Sequence, residues 1–322
     1  MTNNNCYWHS DRYAGVTCQR CERRVCAECM HVASVGFHCP ACIKPQNIHS
    51  RRQRKTFAGS TGRIENVSEQ SLATRAIIAV NFLAFLATLF RGGSLSGSGG
   101  ISQVRLPPDP FIYIVKWASK DIFTIDFGLI GYGRVLASQD SLNFVGVSEG
   151  EWWRMITGGF LHGGIIHLAF NMFFLWMLGS QLERFLGATS YLILYFGSLL
   201  SGALGVMLLD PLALTVGASG AVFGLMGATV VYRFRRGLSP WSNGIGSLLI
   251  INLIFTFARP NISVGGHIGG LLGGLLIGWL IDEMNKKRTS GYVRVLVPLI
   301  IAVAFGFSCI LASEYWYDPI LG

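Results

Sequence analysis

Residues 265–281 read GGHIGGLLGGLLIGWLI, and this stretch decides what kind of fold the chain can adopt. It contains no acidic or basic residue apart from one histidine, and it is close to the roughly 20 residues that a helix needs to cross a bilayer. Glycines recur at Gly266, Gly270 and Gly274, so one helix face is bare and another helix can approach it closely. We therefore predict a tightly packed membrane helix that carries a single ionisable side chain, His267.

The apolar character extends over most of the chain. Hydrophobic residues make up 51% of the 322 positions and charged residues only 13%, which lies outside the usual range of soluble proteins. Stretches apolar enough to form membrane helices occur at 72–90, 165–181, 190–209, 217–232, 244–257, 265–281 and 293–312. The sequence thus predicts an all-α polytopic membrane protein with seven helices.

Positive residues cluster at the ends of the apolar stretches. Runs at 51–55, 233–236 and 286–288 flank predicted helices, which is the pattern of cytoplasmic loops under the positive-inside rule. Membrane topology therefore accounts for the net charge of +9, and we do not expect the chain to bind nucleic acid.

The same rule predicts the location of both termini. The N-terminus is expected in the cytoplasm, because residues 1–5 lead into Cys6 rather than into a signal peptide. Seven spans then place the C-terminus, with Tyr315-Trp316-Tyr317, outside the cytoplasm, where aromatic residues suit the interface. A prokaryotic plasma membrane is the expected location, and a eukaryotic secretory membrane is the alternative.

Two segments next to the first predicted helix differ from a simple span. Residues 46–71 form a basic juxtamembrane linker, which anionic lipid would attract. Residues 92–164 mix glycine and serine with aromatic residues such as Phe111 and Trp117. This mixture is too amphipathic for a solvated loop, so we expect the segment to lie in the membrane interface.

The N-terminal residues 1–45 are rich in cysteine. Seven of the eight cysteines lie before Lys44, and in a reducing compartment such a cluster favours metal ligands over disulfides. Two residues separate the members of each ligand pair, so both side chains can hold one tetrahedral ion. Eight ligands suit two zinc ions, and the pairs are Cys6 and His9, Cys18 and Cys21, Cys26 and Cys29, and Cys39 and Cys42.

The predicted zinc ions are structural. So small a module has little core, and its fold would depend on the metal. Every site is filled by protein ligands, which leaves no open position for a catalytic water. His31 or His38 could replace one of the assigned ligands. The expected role is docking or regulation through an unidentified cytoplasmic partner.

A second group of polar residues lies in the apolar part of the chain. Ionisable residues inside membrane helices are expensive, so each one is a functional candidate. The group lies at the predicted outer ends of the second, fourth and sixth helices, at one depth, and consists of His162, His167, Asn171, Ser219 and His267.

Ser219 and His267 have the features of a nucleophile and a base. Ser219 follows Gly217 at the start of a helix, where free amides favour an anion. Packing of the small stripe Gly220, Gly224 and Ala228 against the glycines after His267 would bring the two side chains together. Taken singly, His267 could instead be a packed helix residue or part of a proton relay, and a lone Gly-x-Ser-Gly is common.

The joint pattern resembles the rhomboid family of intramembrane serine proteases. The resemblance rests on Glu151-Trp152-Trp153-Arg154, the stretch from Phe160 to His162, His167-Leu168, Asn171-Met172, Gly217-Ala218-Ser219-Gly220 and Gly266-His267-Ile268-Gly269-Gly270. It implies a six-helix core over residues 72–283, with an extra seventh helix in 284–322. The N-terminal module resembles a B-box or cross-brace finger, which implies that the first and third ligand pairs share one metal and the second and fourth share the other.

The rhomboid resemblance also implies roles for individual residues. Ser219 and His267 would form a catalytic dyad without an acidic third member, and His167, Asn171 and the Ser219 amide would form the oxyanion hole. Trp153 and Arg154 would order the first loop, with Glu183 or another acceptor as the partner of Arg154. Supporting positions would be His162, Gly217, Gly220 and Phe223, the last of which would stack on His267.

The implied activity is cleavage of transmembrane protein substrates near the extracytoplasmic face. Two other functions compete with it. A non-catalytic rhomboid-like protein would bind transmembrane helices, although such proteins tend to lose the residues that match Ser219 and His267. A transporter is disfavoured, because the sequence has neither an inverted repeat nor paired charges at mid-membrane.

Overall fold

The computed structural model describes residues 4–32, 36–42, 71–96, 103–105, 112–115, 121–138, 141–242, 244–259 and 262–315. The chain divides into two units, Met1–Val67 and Ser68–Gly322, and each unit has its own buried cluster. Nearly all of the predicted linker, as well as Trp316 and Tyr317, lies outside the described residues.

The first unit is built from two short strand pairs. Strand β1 (Val16–Thr17) pairs antiparallel with β2 (Arg24–Val25), and β3 (His31–Val32) pairs antiparallel with β4 (Phe37–His38). Its buried core consists largely of cysteines, with Ala14 and Val25 among the few other members. Because so small an apolar core buries little surface, a fold of this size ordinarily needs a metal or cross-links.

Long helices dominate the second unit. Within the described residues they are α1 (Leu72–Phe90), α4 (Ile165–Leu186), α5 (Ala188–Leu209), α6 (Ser219–Phe234), α7 (Ile245–Ala258), α8 (Val264–Lys286) and α9 (Gly291–Tyr315). Five of these, namely α1, α4, α5, α8 and α9, are long and apolar enough to cross a membrane. The prediction of a mostly helical, multi-pass membrane protein is confirmed.

The two remaining long helices are shorter than a full span. Helix α6 has 16 residues and α7 has 14, so at a rise of about 1.5 Å per residue they extend about 24 and 21 Å. The sequence places both helices correctly within two residues at each end. A helix whose neighbours and loops cover its ends does not need the whole hydrocarbon thickness.

Two helices run five residues beyond their predicted C-terminal ends, where their charged residues have hydrogen-bond partners. Helix α4 includes a π-helical turn at Leu175–Gly179 and continues to Leu186. Its Glu183 accepts hydrogen bonds from the Ala73 and Thr74 amides at 2.9 and 2.8 Å and so caps the start of α1. Helix α8 continues to Lys286, past the predicted domain boundary at 283.

Asp282 explains the extension of α8. Its carboxylate oxygens lie 2.6 Å from Arg235 Nε and 2.9 Å from Arg236 Nη2, both just after α6. These bonds allow the buried acid to remain inside the helix, and they join the ends of α6 and α8. A helix predicted from apolar residues alone ends before this acid, because the two arginines that neutralise it are distant in sequence.

The segment between α1 and α4 contains a small sheet that the sequence analysis did not predict. Strands β5 (Gln103–Arg105), β6 (Ile112–Val115), β7 (Gly133–Ser138) and β8 (Ser141–Val145) lie in the order β5-β6-β7-β8, and only the β6–β7 pair is parallel. Short helices α2 (Ile122–Phe127) and α3 (Arg154–Thr157) and two 3-10 turns (Val147–Glu149 and Gly158–Phe160) complete it. The expected interfacial segment is therefore a folded subdomain.

Glycine contacts hold α5, α6 and α8 together. A Cβ added to Gly270 would lie 2.0 Å from the Gly220 carbonyl oxygen, and one added to Gly274 would lie 2.1 Å from that of Gly224. The two predicted stripes therefore meet backbone to backbone. On the other side of α8, the Ser201 hydroxyl of α5 donates to the Gly269 carbonyl at 2.8 Å. This packing fixes where the first turns of α6 and α8 lie.

Candidate active site

Ser219 and His267 lie side by side at the starts of two packed helices. Ser219 is the first residue of α6, and His267 lies in the first turn of α8. Ser263 is the N-cap of helix α8, and its hydroxyl oxygen accepts a hydrogen bond from the Gly266 amide at 3.0 Å. His267 Nε2 lies 2.8 Å from Ser219 Oγ, which is the geometry that a serine needs to pass its proton to a base.

The His267 ring is held on two further sides. The Phe223 ring lies nearly parallel to it, with 4.2 Å between the centroids and 18° between the planes. On another side, the Nδ1 atom of His267 lies 2.7 Å from the hydroxyl oxygen of Thr256, a residue of α7 that is 1% exposed. Thr256 could not be predicted from the sequence, because a single threonine in an apolar helix carries no distinguishing pattern.

Two more of the predicted residues face the same space as Ser219. The position that a Cβ on Gly217 would take lies 2.9 Å from His167 Nε2 and 3.7 Å from Ser219 Oγ. Only glycine fits there, because Gly217 also has φ of +125°. Asn171 is buried on the same helix face as His167, and its Nδ2 donates to the His167 carbonyl at 2.9 Å.

These residues line one cavity of about 1390 Å³. Its walls include His167, Asn171, Gly217, Ser219, Gly220, Phe223 and His267. His162 is not among the lining residues. It is buried behind His167 and packs edge-on against that ring, with 5.1 Å between the centroids. The cavity therefore brings a serine hydroxyl, two imidazole rings and a carboxamide to one space.

The folded segment before α4 holds the Gly217 loop in place. Leu129 and Thr215 exchange two backbone hydrogen bonds, of 3.0 and 2.7 Å, and the Gly217 amide donates to the Gly158 carbonyl at 2.9 Å. These three bonds fix the loop that leads into Ser219. The position of Ser219 thus depends on a part of the chain far from it in sequence.

Arg154 anchors that segment from inside. Its side chain is 1% exposed, and its Nε donates to Glu151 at 2.6 Å. Its Nη1 donates to the carbonyls of Ile125 and Gly128 at 2.7 and 2.8 Å. The suggested pairing with Glu183 is wrong, since Glu183 caps α1 instead. Trp153 precedes α3 and is half exposed.

We expect Arg154→Ala to destabilise the protein by roughly 3–5 kcal/mol, because Glu151 and two carbonyls would lose a buried partner. Arg154→Lys should recover little, since an ammonium cannot reproduce the fork that reaches all three acceptors. Thermal unfolding in detergent measures the loss. The matched control is Arg184→Ala, which removes an exposed arginine of α4. An unchanged midpoint for Arg154→Ala would contradict this anchoring role.

The first unit brings its eight predicted ligands into two clusters. One contains Cys6, His9, Cys26 and Cys29, the other contains Cys18, Cys21, Cys39 and Cys42, and the ligand atoms within each lie within 4.8 Å of one another. This grouping matches the first-with-third and second-with-fourth arrangement. His31 and His38 are in neither cluster and lie opposite each other in β3 and β4.

The cluster geometry fits a tetrahedral ion. Bonds of about 2.3 Å from a central zinc to sulfur imply separations of about 3.8 Å between ligand atoms. His9 Nδ1 lies 3.5 Å from Cys26 Sγ and 3.4 Å from Cys29 Sγ, and Cys21 Sγ lies 3.6 Å from Cys39 Sγ. Both clusters could therefore hold a metal ion without rearrangement.

Each cluster also contains a thiol that ionises easily. Burial opposes ionisation of Cys6, but hydrogen bonds from backbone amides, that of Cys26 foremost, lower its pKa to about 6. Burial likewise opposes ionisation of Cys18, whose pKa is lowered to about 6 chiefly by the Cys39 amide. Other thiols of the same clusters shift the opposite way: burial raises the pKa of Cys29 to about 11, and the hydrogen bond to the Cys21 thiol raises the pKa of Cys42 to about 12. A thiolate is the form that binds a metal cation, so metal binding would release the protons that these two thiols hold.

Comparison with known proteins shows that part of the chain is similar to rhomboid sequences. Residues 149–283 match the family model described as Rhomboid domain. The chain is 37% identical over 183 residues to "Rhomboid protease GluP" of Bacillus subtilis (strain 168), an alignment that covers 56% of this chain and 34% of the relative. It is 39% identical over 128 residues to "Putative rhomboid protease YdcA" of the same organism, covering 38% of this chain and 64% of the relative.

A mammalian relative aligns over a comparable share of the chain. It is "Rhomboid-related protein 2" of Mus musculus, 32% identical over 148 residues, with 45% of this chain and 46% of the relative covered. The chain thus spans less than two thirds of the length of each of these relatives. Residues 149–283 are similar to the Rhomboid domain, and the chain resembles proteins that are named as rhomboid proteases.

Proposed function

We propose that this protein is an intramembrane serine endopeptidase that cleaves transmembrane proteins through Ser219 and His267. The observation that carries the proposal is the 2.8 Å separation between His267 Nε2 and Ser219 Oγ, inside a cavity that His167 and Asn171 also line. The relatives named as rhomboid proteases support the same class of reaction.

The reaction begins with proton transfer. His267 takes the proton of Ser219 as the hydroxyl oxygen attacks the scissile carbonyl, and the resulting imidazolium then protonates the leaving amine. Water hydrolyses the acyl-enzyme, with His267 again as the base. The parallel Phe223 ring holds the imidazole in the plane that faces Ser219.

The developing oxyanion would be held by three kinds of donor. The first amides of α6, including that of Ser219, have no acceptor within their own helix. His167 supplies a ring N–H, and the Asn171 amide has a second N–H beyond the one that bonds to His167. Each well-placed donor of this kind typically raises kcat by a factor of about 10²–10³.

The substrate is proposed to be a single-span protein whose helix unwinds near its outer end, because a helical backbone hides its carbonyls. Glycine and other helix-weakening residues are expected near the cleaved bond. The positive runs at 233–236 and 286–288 support a cytoplasmic location for the ends of α6 and α8. The N-terminus would then be cytoplasmic and the C-terminus extracytoplasmic, in a prokaryotic plasma membrane.

Cleavage in proteoliposomes tests this function. The purified protein is mixed with a fluorogenic single-span substrate, and product is followed with wild type and with Ser219→Ala. We expect cleavage by the wild type and none by the variant. Retained cleavage by Ser219→Ala would overturn the assignment. Co-purification of an intact substrate helix with a wild type that does not cleave would instead favour a helix-binding protein.

For the first unit, we propose two structural zinc ions, one bound by Cys6, His9, Cys26 and Cys29 and the other by Cys18, Cys21, Cys39 and Cys42. The donor sets and their spacing support zinc, and each set fills all four positions of a tetrahedron. The ions would hold the short strands in place of an apolar core. An unidentified cytoplasmic partner would dock on this module.

Metal analysis of the full chain should give two zinc ions per molecule. Cys39→Ser should lower this to about one, because the three remaining ligands bind far less tightly than four. Cys309→Ser is the matched control: this cysteine is equally buried but lies in α9, so two ions should remain. A wild type without zinc, or two ions in Cys39→Ser, would contradict the proposed ligand set.

A further inference from the structure

The His267 ring is bonded through both of its nitrogens. Nε2 lies 2.8 Å from Ser219 Oγ, and Nδ1 lies 2.7 Å from Thr256 Oγ1. A neutral imidazole carries one proton, so one nitrogen donates and the other accepts. To act as a base toward Ser219, the ring must carry that proton on Nδ1. The atom that faces Nδ1 therefore decides whether the ring can accept the serine proton.

The surroundings of Thr256 determine the direction of its hydrogen bonds. Its hydroxyl lies 2.8 Å from the Asn252 carbonyl, one turn earlier in α7. A carbonyl oxygen can only accept, so this bond uses the single hydrogen of the hydroxyl. A lone pair of Thr256 Oγ1 is then left to face His267 Nδ1. The order of bonds is Nδ1–H to Thr256 and the Thr256 hydroxyl to Asn252.

We propose that Thr256 is a positioning residue that holds His267 in the tautomer required of the base. This inference depends on the proposed protease function and extends the Ser219–His267 pair by a neutral third member from a different helix. Thr256 is 1% exposed, so water does not compete readily for its hydroxyl. The contact also ties α7 to the first turn of α8.

A neutral acceptor should matter less than an acidic one. In a Ser-His-Asp triad, changing the aspartate to asparagine lowers kcat about 10⁴-fold because the histidine takes the wrong tautomer. A threonine hydroxyl orients the ring without supplying charge for the imidazolium. Its loss should therefore lower kcat by roughly tenfold to a hundredfold, the amount that one or two ordinary hydrogen bonds provide.

Thr256→Val isolates the hydroxyl, because valine keeps the shape and β-branching of threonine. With no acceptor at Nδ1, the ring can place its proton on Nε2, where it cannot accept the serine proton. We expect kcat to fall by the stated factor and KM to stay within about twofold of wild type. Thr256→Ser should restore most of the rate. The matched control is Thr88→Val, since Thr88 is also buried but donates only to the Ala84 carbonyl within α1.

Two measurements in proteoliposomes test the role together: substrate kinetics and the labelling rate of Ser219 by a small fluorophosphonate, which needs no helix to enter. If Thr256 acts through His267, Thr256→Val slows both by similar factors. Slower cleavage with unchanged labelling would assign Thr256 to substrate entry and overturn the inference, as would wild-type values for kcat. An inactive, unlabelled wild type would overturn the proposed function and this inference with it.

Discussion

His267→Ala is expected to lower kcat by at least about 10⁴-fold, the largest effect of any single substitution outside Ser219. Without the imidazole, no group within hydrogen-bond distance of Ser219 Oγ among the described residues can accept its proton. The serine would then attack as an unactivated alcohol. Initial rates with a fluorogenic transmembrane substrate in proteoliposomes, at matched protein-to-lipid ratios, measure the loss.

The double variant Ser219→Ala with His267→Ala separates a cooperating pair from two independent residues. If the two side chains act as one unit, the double variant is no slower than the worse single variant. Multiplying losses would indicate separate roles. Thermal unfolding of each variant in detergent serves as the control for folding. A His267→Ala enzyme within tenfold of the wild-type rate would contradict its role as the base.

Gly270→Ala is expected to lower activity roughly 100-fold while also reducing the unfolding midpoint. The added methyl would lie 2.0 Å from the Gly220 carbonyl oxygen, so α6 and α8 must separate by about 1 Å or more. Ser219 and His267 lie in the first turns of these two helices. A shift of about 1 Å at a catalytic contact can cost about 10²-fold in rate. Backbone atoms cannot rotate away as a side chain can.

Gly306→Ala is the control for this substitution. Gly306 is a buried glycine within α9, but a Cβ there would meet only Leu200 side-chain atoms at 3.6 Å, an ordinary contact. Because alanine favours helix over glycine, this variant should be as stable as wild type or slightly more so. Equal activity and midpoint for Gly270→Ala and Gly306→Ala would show that close packing of α6 and α8 does not position the two residues.

The helices and the Ser219–His267 contact could be predicted from the sequence because each has a local signal. Apolar length marks the spans, and glycines at every fourth position mark the faces of α6 and α8 that meet. Ser219, His267 and His167 are isolated polar residues at one predicted depth, and this shared depth indicates that they lie close together. Two-residue gaps marked the four ligand pairs, and the resemblance to a cross-brace finger implied which pairs share a cluster.

The contacts that the sequence did not reveal join segments without such a pattern. Strands β5 to β8 are short, so none has enough alternating apolar and polar residues to be recognised as a strand. In addition, β6 pairs with β7 across an intervening helix. Arg154 donates to Glu151 and to two backbone carbonyls. The carbonyl acceptors cannot be predicted from the sequence, because every residue has one. Thr256 reaches His267 only because α7 packs beside α8.

Mass spectrometry of the intact protein after reaction with a fluorophosphonate tests most directly whether Ser219 is a nucleophile activated by His267. One adduct per chain is expected, located on Ser219 by peptide mapping. His267→Ala should suppress it, while Thr88→Val should leave it unchanged. An adduct on another serine, or full labelling of Ser219 in the His267→Ala protein, would contradict the proposed chemistry.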